Sequence, residues 1–364
     1  MALTIFALLG LFIPGIRIRK PEDGDYLSRK VTSSFLGIFV LVIFLAHVLG
    51  KMGSEAWYDI IATRVYHSLV GQMMVVPFFF FSAYGIVKQF QKQGRKVYLS
   101  NFFVHRFLKV YLMFVISIFL IAVFASACTG FQTFSLDPLT LTVYGANLWF
   151  IFAILVLYVL IFISLLIFGE KKWPLFITIM VLSIGFIAVM VAIGKDPHWY
   201  NTIISFPLGV GFALFRDKID AWFNSSKRRL IVYIIATVIY FGTLSATEFV
   251  DLTTIHLALY ITVYTIRVIS FITSMILFLM MLTFGNKALV EISKYSLVSY
   301  IIQFTIFDIF MTTLDVKSIS IYLFFVVTLA VTAVLTFGIT LLYNWLFKIS
   351  LGKLSFKPRE EPAK

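Results

Sequence analysis

Charge is scarce in this sequence: Asp, Glu, Lys and Arg make up only 13% of its 364 residues. A soluble domain carries about a quarter. The shortage excludes a water-facing surface, because 61% of the residues are hydrophobic and the mean hydropathy is +0.99. Too little polar surface exists to cover such an excess. Cys128 is the only cysteine, which excludes an intramolecular disulfide and a cluster of thiolate ligands. A buried, inert thiol is expected there. No polar stretch is long enough for a soluble domain. No internal repeat is evident either, which speaks against transporter folds built from paired halves.

What is present is a succession of apolar runs. Ten can be marked, at 33–50, 68–87, 103–128, 147–168, 173–194, 200–215, 230–247, 257–283, 295–314 and 320–347. Most approach the roughly 20 residues needed to cross a bilayer. The expected fold is therefore an all-α integral membrane protein of about ten transmembrane helices. The sixth run is short and carries Pro207, Gly209 and Gly211, so a broken or tilted helix is expected.

Acidic residues are outnumbered 17 to 30 by Lys and Arg, for a net charge of +13. In a soluble protein that surplus would suggest nucleic acid. Here the cations fall into alternate loops, as cytoplasmic loops facing anionic lipid do. One set holds Arg17, Arg19, Lys20, Arg29 and Lys30, then Lys88 to Lys96, Lys171 and Lys172, Arg216 to Arg229, Lys287 and Lys294, and the tail from Lys348. The other holds Lys51, Arg64, Lys195 and Lys317. Both termini are thus expected in the cytoplasm, with residues 1–32 as an N-terminal segment, 33–347 as the membrane domain and 348–364 as a basic tail. Met1 to Ile16 is apolar, but its cations follow rather than precede it, the reverse of a secretory signal; an interfacial or re-entrant segment is expected. Asn224-Ser225-Ser226 matches a glycosylation sequon, on the cytoplasmic side.

Ionisable groups inside the runs are the candidates for chemistry, since they are costly in lipid. His47 lies well into the first run. A desolvated imidazole stays neutral and can take a hydroxyl proton near neutral pH; a histidine satisfied near the outer interface is the alternative. His105-Arg106-Phe107-Leu108-Lys109 opens the third run, with Arg106 and Lys109 one turn apart. A guanidinium at such a mouth can clamp phosphate or carboxylate, although, taken alone, ordinary positive-inside charge is the better account of it. Arg267 sits near the middle of the eighth run and needs a partner or a wet cavity; Asp308 is one possible partner. Glu248, Asp251 and His256 read as a solvated outer loop.

At these residues the sequence resembles the acyltransferase family 3 membrane proteins, which O-acylate cell-surface carbohydrates. The resemblance runs through most of the chain as ordered blocks. Gly37 and His47 resemble the first-span motif, and Phe79 to Gly85, with Ser82 and Tyr84, the second-span block. Tyr98 to Lys109 resembles the basic block entering span three, and Leu148-Trp149-Phe150 with Tyr158 the opening of span four. Phe206 to Gly209 and Ser296 to Ile302 resemble two later blocks. The sequence departs from the family at Leu36, where a basic residue is usual, at Ala83 in place of Gly, at Lys109 in place of Arg, and at Gln303 in place of a late-span His.

The resemblance implies a catalytic role for His47, as general base on a sugar hydroxyl or as an aid in shuttling the acyl group. It implies that Arg106, with Lys109, holds the phosphates of acyl-coenzyme A, acetyl-coenzyme A being the family default. Ser82, Tyr84, Trp149 and Arg267 complete the expected substrate- and donor-binding set. The expected partners are the bilayer, the acyl donor and a carbohydrate acceptor, with no bound cofactor or metal and a bacterial plasma-membrane location. A transporter or flippase with Arg267, Asp308 and His47 along its path, and an inactive relative, remain as alternatives.

Overall fold

The computed structural model describes residues 16–52, 71–129, 136–137, 142–143, 146–249, 256–283, 285–313 and 321–350. The expected N-terminal interfacial segment and most of the basic tail lie outside these residues, as do Arg64, Asp251 and Lys317.

A short strand β1 (Arg17–Ile18) precedes α1 (Arg29–Met52). A 3-10 turn at Gly71–Val75 leads into α2 (Val76–Gln93). Next come α3 (Arg95–Phe102), a π-helical turn (Phe103–Leu108) and α4 (Lys109–Thr129). Three two-residue strands, β2 (Leu136–Asp137), β3 (Thr142–Val143) and β4 (Ala146–Asn147), form a small antiparallel sheet. The chain continues through α5 (Trp149–Phe168), α6 (Lys172–Ala192), a 3-10 turn (Pro197–Trp199), α7 (Ser205–Trp222) and α8 (Ser226–Phe249). It ends with α9 (Leu257–Met281), β5 (Leu282–Thr283), the short α10 (Lys287–Lys294), α11 (Ser296–Thr313) and α12 (Ile321–Ser350).

Among the described residues, nine helices are long and apolar enough to cross a membrane. Their outward faces are greasy at helical spacing, as at Ile177, Val181 and Ile184 on α6 and Ile231, Ile234 and Val238 on α8. In water these would be a liability; against lipid they are the expected covering. The sixth expected span is the exception to the nine. Its helix, α7, carries Arg216, Asp217, Lys218 and Asp220 towards its end, too much charge for an isolated span. It is nevertheless a traversing element. At one end Asn201, just before it, donates to Gln72 at 3.3 Å, and at the other Arg216 donates to the Tyr84 hydroxyl at 2.5 Å. So α7 runs alongside α2 and is almost wholly buried from Ser205 to Leu214.

Two glycines permit close helix approach. A Cβ on Gly209 would run into the Phe80 carbonyl of α2, and a Cβ on Gly37 of α1 would collide with the Leu289 carbonyl of α10. The second contact lets α10 lie along the start of α1, directly before α11, which forms the ninth expected span from Ser296.

The basic side is laced together by residues 17–28. β1 pairs antiparallel with β5, and Arg19 donates to the Met281 and Leu279 carbonyls at 2.8 and 3.0 Å. Asp25 forms an ion pair with Arg216, and the Tyr26 hydroxyl bonds Asp220. Cys128 departs from expectation: it is exposed, in the last turn of α4. That helix is covered on one narrow face only, at Met113, Ser117, Ile121 and Ala125, and Cys128 lies one turn beyond the last of these.

Candidate active site

Two contiguous cavities occupy the middle of the helix array. The inner one, about 210 Å³, is lined by Val40 of α1, Phe78 and Ser82 of α2, Val110 of α4, Phe150, Ile154 and Tyr158 of α5, and Ser296, Ser299 and Gln303 of α11. Its walls are mostly apolar, with one polar ledge where Ser82 Oγ and the Tyr158 hydroxyl lie 2.8 Å apart. Val110 places its lower end next to Lys109, on the side of the basic loops.

The outer cavity, about 290 Å³, is lined by His47, Gln72, Trp149, His198, Phe304 and neighbouring residues. His47 follows Arg29, the first residue of α1, by enough turns to stand about 27 Å along the helix axis, near the far face of the membrane. Its imidazole packs on Phe304 with ring centroids 4.4 Å apart, and lies 6.3 Å from the Tyr300 ring. Trp149 and His198 face each other at 6.0 Å. His198 lies in the turn before α7, outside the spans; burial pushes its imidazole below the ordinary histidine range, against a smaller opposing pull from Asp196. It is therefore neutral at pH 7.

Ile43, Val75 and Tyr300 line both cavities, so the two meet at these residues. Of the three, only Tyr300 carries a polar group in its side chain.

The remaining expected site residues fall into three other places. Arg106 is half-buried on the π-helical turn; such turns recur at functional sites. Its guanidinium lies near the Tyr98 hydroxyl, and Arg106 and Arg29 lie near Lys109, so the three form one cationic cluster on the basic side. His47 lines the outer cavity, whereas Arg106 lines neither. Tyr84 lies on the basic side, bonded to Arg216. Arg267 is buried outside both cavities. It donates to Thr247 Oγ1 at 3.0 Å and lies over the rings of Tyr240 and Tyr264 at 5.7 and 5.2 Å. One link to the outer cavity runs through Tyr264, whose hydroxyl reaches Gln72 at 3.5 Å. Asp308 is paired with Lys51 at 2.5 Å, not with Arg267. Leu36 packs on the hydrophobic core and lines neither cavity.

Gln72 and His198 were not legible as site residues, because both sit in short turns with no periodic signal. Tyr300 and Tyr158 fall inside blocks that carried the family resemblance, yet no property of the sequence singled them out.

No curated protein and no solved structure matches the chain. A sequence model for the acyltransferase domain does, over residues 37–345. That stretch begins at the glycine packed on α10, takes in His47, both cavities, Arg106 and Lys109, and ends within α12. With most of its length matched and its helices built to cross a bilayer, this chain belongs to the acyltransferase domain family, as a membrane-embedded member.

Proposed function

We propose that the protein transfers an acyl group, acetyl being the simplest case, from acyl-coenzyme A to a hydroxyl of a surface or lipid-linked carbohydrate. The observation that carries this reading is the pair of neighbouring cavities that share wall residues, with His47 in the outer one and a cationic cluster on the basic side next to Val110 of the inner one. A phosphate-bearing donor suits the cluster of Arg29, Arg106 and Lys109, since guanidinium groups bind phosphate bidentately. By the positive-inside rule that side faces the cytoplasm, where acyl-coenzyme A is found. The long, largely apolar arm of the donor would then thread the inner cavity and bring its thioester to the junction. The outer cavity, with Trp149, His198 and Gln72 on its walls, suits a single sugar ring: an aromatic face for the ring and polar groups for its hydroxyls.

In the reaction, His47 takes the proton from the acceptor hydroxyl as its oxygen attacks the thioester carbon. The C–O bond forms, the C–S bond breaks, and the thiolate leaving group recovers the proton from the imidazolium. A permeation path, by contrast, would turn on Arg267 and Asp308, which have separate partners away from the cavities.

The test is transfer of label from radiolabelled acetyl-coenzyme A to envelope glycan by the purified protein in detergent, beside His47→Ala. Label in the glycan with wild type, and none with a variant that still inserts, is the expected result. Equal transfer by the variant would remove His47 as the base. The absence of both transfer and thermal protection by coenzyme A would refute the reaction.

A further inference from the structure

On the acyltransfer reading above, the donor's long arm crosses an inner cavity whose walls are mostly apolar. That arm is not all hydrocarbon, because it carries two amides between its sulfur and its phosphates. An amide brought into such a cavity gives up its hydrogen bonds to water, and the site has to replace them. Resting on that reading, we infer that the Ser82–Tyr158 hydroxyl pair replaces them: it binds an amide of the donor's arm and so selects donors that carry one.

Placement is the first observation. Of the side chains that α1, α2, α4 and α5 contribute to the inner cavity, only those of Ser82 and Tyr158 are polar, and the rest are hydrocarbon. The cavity's other polar side chains all stand on α11. Level is the second. The cavities meet at Val75, directly before α2, and Ser82 stands about 9 Å along the helix axis from Val76, towards the basic side. A thioester held at the junction therefore trails its amides back to the height of the pair.

The third observation is a count of protons. Ser82 Oγ and the Tyr158 hydroxyl lie 2.8 Å apart and share one hydrogen bond. A hydroxyl has one proton and two lone pairs. Whichever group donates, the shared bond uses one proton and one lone pair. One O–H and further lone pairs remain, and neither group has another hydrogen-bond partner among the described residues. The O–H suits a carbonyl oxygen and a lone pair suits an N–H, together the complement of one amide. The buried Tyr158 ring is held against Phe102 and Phe206, with centroids at 6.4 and 6.5 Å, so its hydroxyl is presented from a packed position. The pair binds and does not react.

The test sets acetyl-coenzyme A against an analogue with methylene groups in place of the arm's amides and the thioester and phosphates kept. Both donors are given to wild type and to a Ser82→Ala/Tyr158→Phe variant; both hydroxyls are removed because either one alone still has a proton to give. Wild type should show a KM for acetyl-coenzyme A roughly tenfold below that for the analogue, the scale of one lost hydrogen bond. In the variant that preference should collapse through a higher KM for acetyl-coenzyme A, with kcat changed much less. A preference kept by the variant would overturn the inference. So would a loss equal for both donors, which is what a purely structural link between α2 and α5 gives. Where the variant does not fold, wild type decides: a tenfold preference supports the site, and equal KM values overturn it. Wild type that transfers from neither donor refutes the acyltransfer reading itself, whereas transfer from both with equal KM refutes only the amide site.

Discussion

Replacing Gly37 by Ala tests whether the helix packing described above shapes the cavities. On an open helix surface the change is mildly favourable, by about 0.5–1 kcal/mol, because Ala has the better helix propensity. At Gly37 the added methyl would collide with the Leu289 carbonyl of α10. A backbone atom cannot rotate away as a side chain can, so α10 has to shift bodily. Overpacking of this kind costs about 1–3 kcal/mol. Gly85 provides the control, as a Cβ there meets nothing within 4 Å. Gly85→Ala should therefore leave thermal stability in detergent unchanged or slightly raised, while Gly37→Ala lowers it. The two should differ by roughly 1.5–4 kcal/mol, the overpacking cost plus the propensity gain. Because α10 leads directly into Ser296 of the inner cavity wall, Gly37→Ala should also depress transfer. Equal stability of the two variants would refute the close α1–α10 packing and the link drawn from it to the cavity.

Three further outcomes are expected. Arg106→Ala should raise the KM for acetyl-coenzyme A with a smaller effect on kcat, since the residue is proposed to bind rather than react; steady-state kinetics over a donor series decides it. Cys128, exposed and on the side opposite the basic loops, should take up a membrane-impermeant maleimide in right-side-out vesicles and not in inverted ones, and the reverse pattern would invert the topology. Burial acts to raise the Asp25 carboxyl, but the hydrogen bonds from Arg216 and the Leu27 N–H, with the charges of Arg216 and Arg19, outweigh it and hold the group below the usual carboxylate range. Its stabilising effect should thus be complete above the ordinary carboxylate pKa of about 4 and be lost as pH falls through the lowered folded value. Melting curves of wild type should decline over that window more steeply than those of Asp25→Asn.

The helical membrane fold was legible because hydropathy and length alone define a span. What the sequence could not convey is which faces meet. Arg267 looked like a cation in need of Asp308, yet tyrosine faces and a threonine hydroxyl surround it, while the nearer cation to Asp308 is Lys51. One-dimensional spacing carries no record of such partners. The same holds for the junction. His47 stood out because an imidazole is rare in lipid, but Tyr300 is one of 17 tyrosines and is distinguished only by the two cavities that meet at it. The cationic cluster was partly legible: Arg106 and Lys109 were evident as cations, and Arg29, at the start of α1, joins them only through the fold.

The buried α7 has a consequence for how the protein is made. Its apolar part, from Ser205 to Phe215, is well short of the roughly 20 residues that partition into lipid unaided, and four charged residues follow within the same helix. A segment of this kind leaving the ribosome has little reason to enter the bilayer alone. α2 is synthesised earlier and offers a ready groove, with the Phe80 carbonyl lying where Gly209 has no side chain. Integration of the sixth crossing is then an assembly step, in which an older helix receives a younger one. Damage along that seam would appear first during biosynthesis, as chains whose later loops lie on the wrong side of the membrane, before any defect in the finished enzyme could be measured.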